Sequence, residues 1–220
     1  MVLFINMKDI LDSFLTGNIR AFVEAIGLFG VYAVAFAESG LLVGFFLPGD
    51  SLLFTAGFLA SPAIGLLNIW PLVLGTWVAA ILGDNVGYEF GKRVGPKLFS
   101  REDSLIFKRA HALKAQAFYD KHGPKTIVLA RFMPIVRTFA PIVAGIANMN
   151  FRVFFFYNLL GSLLWTFGLV LLGYSLGSVI DVDRYLLPII VFIVIISFLP
   201  AIIGYIRERM MRRKSTETAL

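Results

Sequence analysis

From Val153 to Ile180, and again from Tyr185 to Ile206, the chain runs without a single charged side chain; a third such run extends from Ser51 to Gly83. Each is longer than the roughly 20 apolar residues that a helix needs to cross a bilayer. With 58% hydrophobic residues, a mean hydropathy of +0.82 and 15% charged residues, the chain is far more apolar than a soluble domain, in which about 25% of residues are charged. An all-α integral membrane protein is therefore expected, because only helices or closed barrels satisfy every backbone amide in lipid.

The first run is broken by Pro62 and Pro71 with Asn68 between them, so a short apolar arm is expected to end near Ala60 and a full span to start near Trp70. The arm before it, from about Ala25 to Phe46, is interrupted by Glu38. The stretch from Thr126 to Met149 is cut in the same manner by Arg131, Pro134, Arg137 and Pro141. A shift of 86 residues superposes Pro48 on Pro134, Gly75 on Gly161, Gly87 on Gly173, Tyr88 on Tyr174 and Gly91 on Gly177. These matches read as an internal repeat in which each copy is a broken, re-entrant helical hairpin followed by one spanning helix. An odd number of crossings per copy inverts the second copy relative to the first.

Charge sets the orientation. Residues 91 to 125 hold nine Lys or Arg against three acids, and the tail after Ile206 holds five against two. Both are expected in the cytoplasm by the positive-inside rule, with the Asp181 to Arg184 loop outside. The expected organisation is a single membrane domain over 1–220: repeat one at about 21–91, a cytoplasmic amphipathic linker at 92–122, repeat two at 123–178, a final span at 185–206 and a basic tail at 207–220. Within the linker, Ser100 and Asp103 signal a helix start and Gly123-Pro124 its stop. This helix is expected to lie on the membrane surface, and the N-terminal stretch to about Arg20 is similar in character. Ala35-Phe36-Ala37 matches a signal-peptidase pattern, but no basic region precedes it and it lies too far along the chain, so an uncleaved segment is expected.

Four ionisable residues fall inside the broken hairpins: Glu38, Asp50, Arg131 and Arg137. An ionised group at the centre of a membrane helix costs about 2.5 to 3.5 kcal/mol on the insertion scale, so such residues serve a purpose. Two acids in one copy and two bases in the other neutralise each other if the hairpin tips meet. One reading is an ion-paired clamp. The reading favoured here is a binding site for an anionic substrate, because arginine forks match phosphate and broken helices aim free amides at a cavity. Asp50 or Ser51, and Thr138, are placed to cap the second arms. Asp84, with Asn85, is expected near the cytoplasmic end of its span and is assigned a cavity role. Trp77 and Trp165 are read as packing or interface anchors, and His111 and His122 as solvated. Cysteine is absent, and no zinc spacing, P-loop or serine triad occurs, so no enzyme, metal or cofactor is expected.

The segments FLPGDSLLF, GDNVGYEFGKRVG, YDKHGPKTIVLARFMPIVRTFAPIVAGIANM and YNLLGSLLW closely resemble the DedA family of bacterial inner-membrane proteins, over about Tyr32 to Gly177. The resemblance implies two facing re-entrant hairpins, as in related eukaryotic phospholipid scramblases. It also implies a flippase that returns undecaprenyl phosphate, or another lipid phosphate, between leaflets in dependence on the proton-motive force. Residue by residue, it maps the hairpin acids onto Glu38 and Asp50 and the arginine pair onto Arg131 and Arg137. On this reading Arg131, Arg137, Ser51 and Thr138 bind substrate, while Glu38, Asp50 and Asp84 handle protons. The expected partners are the lipid phosphate, protons, membrane lipids and a further copy of the chain, with no nucleic acid. The alternative is a proton-coupled transporter of ions or small cationic solutes; a third reading is a scaffold that shapes the bilayer without transport.

Overall fold

The computed structural model describes residues 13, 18–41, 44, 47–99, 119 and 123–179. The surface helix expected in the linker, the external loop, the final span at 185–206, the basic tail and both histidines lie outside the described residues. The described residues form helices and turns without strands: α1 Ile19–Gly40, α2 Gly49–Leu59, α3 Ile69–Phe99, α4 Lys125–Ala130, α5 Pro134–Ile146 and α6 Phe151–Gly177. Three of these helices are long and apolar enough to cross a membrane, over Ile19–Gly40, Ile69–Gly95 and Phe151–Gly177.

Local chemistry sets the helix boundaries. The Asn18 side chain accepts from the Ala21 amide at the start of α1, Asn68 from the Trp70 amide at the start of α3, and Asn150 from the Arg152 amide at the start of α6. Each satisfies an amide that has no partner within its own helix. α1 begins earlier and stops sooner than the sequence implied. It is interrupted at Gly27, whose φ of 60° and ψ of −167° suit glycine, and it ends at Gly40, ahead of Phe46. α3 also outruns its expected end near residue 91 and continues to Phe99. In the second broken stretch, the break is confined to Arg131, Phe132 and Met133. Arg137 and Pro141 do not interrupt it but lie inside α5, which starts with Pro134 at a position where a missing N–H costs nothing.

α3 divides cleanly by face. Leu72, Thr76, Ala80, Asp84 and Tyr88 are buried, whereas Leu74, Val78, Leu82, Val86 and Phe90 are exposed, each series repeating every fourth residue as one side of a helix does. The exposed apolar stripe is what a lipid-facing surface requires. α2 is buried on all sides except at Asp50, as expected of a helix that is apolar all round.

The second arm of each broken stretch packs against the long helix that follows the other stretch. α2 lies on α6, where a Cβ at Gly57 would meet Val170, one at Gly173 would meet Phe54, and one at Gly177 would meet Ser61. α5 lies on α3, where Gly91 faces Ile142 and Gly145 faces Tyr88. Close backbone approach at glycines is how helices pack when apolar burial provides little drive in lipid. The C-terminal end of α1 reaches the mid-length of α3, with Gly40 against Gly83. The same 86-residue shift relates Thr76 to Ser162, and each hydroxyl donates to the carbonyl four residues back, Leu72 at 2.6 Å and Asn158 at 2.7 Å. One apolar core gathers around Leu52, Leu59 and Leu72, and another around Tyr88, Ile127 and Phe154.

Candidate functional site

The four charged residues of the broken stretches, with Asp84, meet at the mid-length of the long helices. Arg137, in the second turn of α5, uses one guanidinium nitrogen for Asp50, in the first turn of α2, and the other for Glu38, in the last turn of α1. These partners lie 87 and 99 residues away in sequence. Arg131, at the break before α5, forms an ion pair with Asp84 of α3 and donates to Ser39 and Asn158, each at 3.3 Å. Glu38, Asp84, Arg131 and Arg137 are all buried, with at most 8% of their surface exposed. Buried charges of this kind persist only when paired and hydrogen-bonded.

The pairing is incomplete in an informative way. The cluster holds three carboxylates against two guanidinium groups. Among the described residues, Oε2 of Glu38, Oδ1 of Asp84 and Nε of both arginines have no hydrogen-bond partner. Gly49 stands directly against the Glu38 carboxylate, where any Cβ would overlap it. The carboxylates do not converge on one point, and among the described residues no group of three His, Cys, Asp or Glu gathers to hold a metal ion.

Asp84 is not near the end of its helix. It lies midway along α3, because that helix extends well past the expected boundary. Ser51 is buried at the start of α2, and Thr138 is buried one residue after Arg137 with its hydroxyl unpartnered. The expected side-chain caps do not form: the cap positions are taken by Pro48 and Met133, and neither helix start has a side-chain cap bond. Pro141 has a separate local effect. Lacking an N–H, it leaves the Arg137 carbonyl without its intrahelical donor, next to the cluster.

Trp165 departs furthest from its sequence reading. Its indole N–H donates to Asp50 Oδ1 at 2.8 Å, and the guanidinium carbons of Arg131 and Arg137 lie 5.2 and 4.8 Å from its ring centroid. It is a member of the site. Trp77 does act in packing: its N–H meets the Leu159 carbonyl at 3.2 Å and its ring stands edge-on to Phe167. Sequence reasoning also passed over Ser39 and Asn158. The signal for Asn158 was present in YNLLGSLLW, where Asn158, Ser162 and Trp165 follow i, i+4, i+7 spacing and so share one face of α6. Ser162 donates to Asn158 Oδ1 at 3.0 Å, and Asn158 Nδ2 reaches the Ile81 carbonyl of α3 at 3.5 Å.

The VTT domain family model matches residues 47–175, a range that contains every cluster member except Glu38 and Ser39. The chain is 47% identical to Protein DedA of Escherichia coli (strain K12) over 192 residues, covering 84% of this chain and 88% of that protein. It is 40% identical over 213 residues to an uncharacterized membrane protein of Mycobacterium tuberculosis (strain H37Rv), covering 96% and 93%. It is 37% identical over 155 residues to inner membrane protein YqjA of E. coli K12, covering 68% and 67%. No solved structure matches the chain. Apolar helices long enough to cross a bilayer, a buried cluster of carboxylates and arginines on the broken segments, and matches along most of its length agree: the chain belongs to the DedA family of VTT-domain membrane proteins.

Proposed function

We propose that the protein is a flippase for a lipid phosphate, specifically undecaprenyl phosphate, in the bacterial inner membrane, and that protons drive its cycle. The observation that carries this reading is Arg137 held between Glu38 and Asp50 beside Arg131 held by Asp84, gathered against the mid-length of the long apolar helix α3. Two arginine forks at membrane depth match the planar, bidentate chemistry of a phosphate monoester. In the resting arrangement carboxylates occupy those forks. A phosphate displaces them, and protonation of the released acids keeps the charge balanced. The polyprenyl chain stays in lipid along the exposed apolar helix faces while the headgroup crosses.

Two inverted copies, each a re-entrant hairpin and a span, account for this geometry. The reciprocal packing of α2 on α6 and α5 on α3, and the matched Thr76 and Ser162 bonds, support that reading. The basic segments support a cytoplasmic C-terminus. A cysteine at Asn68 then reacts from outside; labelling from the cytoplasm overturns the hairpin orientation. No bond of the lipid is made or broken, so the protein acts as a transporter and not as an enzyme.

The surplus carboxylate favours a second reading, a proton-coupled carrier of cationic solutes, in which the acids bind cargo and the arginines are counter-ions. Purified protein in liposomes, assayed for transfer of labelled undecaprenyl phosphate between leaflets, separates the two. Under the lipid-phosphate reading, Arg137→Lys inserts normally and loses most transfer, because lysine keeps the charge without the fork. Full transfer by Arg137→Lys reduces the arginines to counter-ions of the acids, and no transfer by the unaltered protein leaves the cation carrier or a scaffold.

A further inference from the structure

The three carboxylates come from three different helices, α1, α2 and α3, while Arg131 comes from the break before α5 and Arg137 from inside it. Trp165, from α6, contacts both guanidinium groups through its ring and Asp50 through its N–H. A packing role alone requires neither contact, since leucine would fill the same apolar position among Leu52, Leu53 and Val170. Two like charges set beside one electron-rich ring are both attracted to it, and each such contact is a factor of about 2 to 30 in occupancy.

We propose that Trp165 is the positioning residue of the cluster: its ring fixes the spacing of Arg131 and Arg137 so that both forks address one phosphate, and its N–H retains Asp50 when that acid leaves Arg137. The inference rests on the lipid-phosphate reading and adds to it the group that sets the geometry. When the headgroup enters, Asp50 gives up the Arg137 nitrogen but keeps the indole donor. It therefore stays within reach to reclose the pair once the lipid departs. Asn158 secures the other side, holding Arg131 while tied to the backbone of α3.

The test uses full-length protein in detergent with geranylgeranyl phosphate as probe and geranylgeraniol as the uncharged control. Trp165→Phe keeps an aromatic face and loses the N–H; Trp165→Leu loses both. The expected dissociation constants rise about 3-fold and more than 10-fold. Monodisperse Trp165→Leu protein with the unaltered affinity overturns the proposal. A second measurement needs neither ligand nor the leucine variant. With Trp70→Phe and Trp77→Phe, Trp165 is the sole tryptophan, and Asp50→Asn or Arg137→Lys is expected to shift its fluorescence emission. An emission spectrum indifferent to both changes also overturns it. If the unaltered protein binds geranylgeranyl phosphate no better than the alcohol, the lipid-phosphate reading falls, and the emission shift still decides whether Trp165 organises the charges.

Discussion

Replacing Arg131 by glutamine leaves Asp84 inside the protein with its cation gone. The side chains of this pair are 5% and 2% exposed, so water cannot substitute for the missing partner. Breaking a buried pair by removing one member costs about 3 to 5 kcal/mol, whereas removing both charges together is often neutral or stabilising. For a chain of this length each kcal/mol moves the melting temperature by about 2 to 4 °C, so Arg131→Gln is expected to melt roughly 6 to 20 °C lower. Asp84→Asn strands Arg131 with neutral partners alone, Ser39, Asn158 and the Trp165 ring, and is expected to fall in the same range. The double variant is expected within about 1 kcal/mol of the unaltered protein, far less than the sum of the two single losses, which is the signature of directly coupled sites. Thermal unfolding in detergent, followed by loss of the monodisperse peak, measures all four proteins. Leaflet transfer is measured in parallel and should stay low in the double variant, because the recovered stability comes without the fork. Single variants that melt with the unaltered protein, or a double variant with the two losses summed, would refute the pairing of Arg131 with Asp84.

Other outcomes follow from the packing and the charges. Gly49→Ala puts a methyl group where the Glu38 carboxylate lies, so it should reduce transfer as Glu38→Ala does and add nothing in a Glu38→Ala background. Gly173→Ala presses on the backbone of Phe54 and Phe58 and should destabilise the chain. Gly168 has no described residue within 4 Å of where a Cβ would sit, so Gly168→Ala should be neutral or stabilising, as comparison of their melting temperatures will test. Burial pushes the Tyr119 phenol up from 10.0 to about 12, so the folded protein keeps this proton after the unfolded chain has released it. The stability that Tyr119 provides is complete below pH 10 and disappears as pH rises through about 12, and Tyr119→Phe should flatten that decline in alkaline unfolding curves.

The sequence by itself determined the membrane character, the helical class, the segments that are apolar but broken, and the four charges carried on those segments. Hydropathy, proline and charge act over one or two turns of chain, so these features are legible without a fold. α2 ends at Leu59 and α3 begins at Ile69, close to the boundaries that Pro62, Asn68 and Pro71 implied. The tertiary structure alone decided which charges meet. Pairing joins residues 87 and 99 positions apart, and no local pattern states that Arg137 takes both Glu38 and Asp50 while Arg131 takes Asp84. The depth of Asp84 was misjudged because it depends on where α3 stops, and nothing sharp in the sequence marks Phe99 as that point. Trp165 reads as an anchor in isolation because an indole suits lipid interface and core alike. Its place in the site follows only when α6 packs on α2 and brings its ring beside two guanidinium groups, and that packing is a property of the assembled helices rather than of either segment.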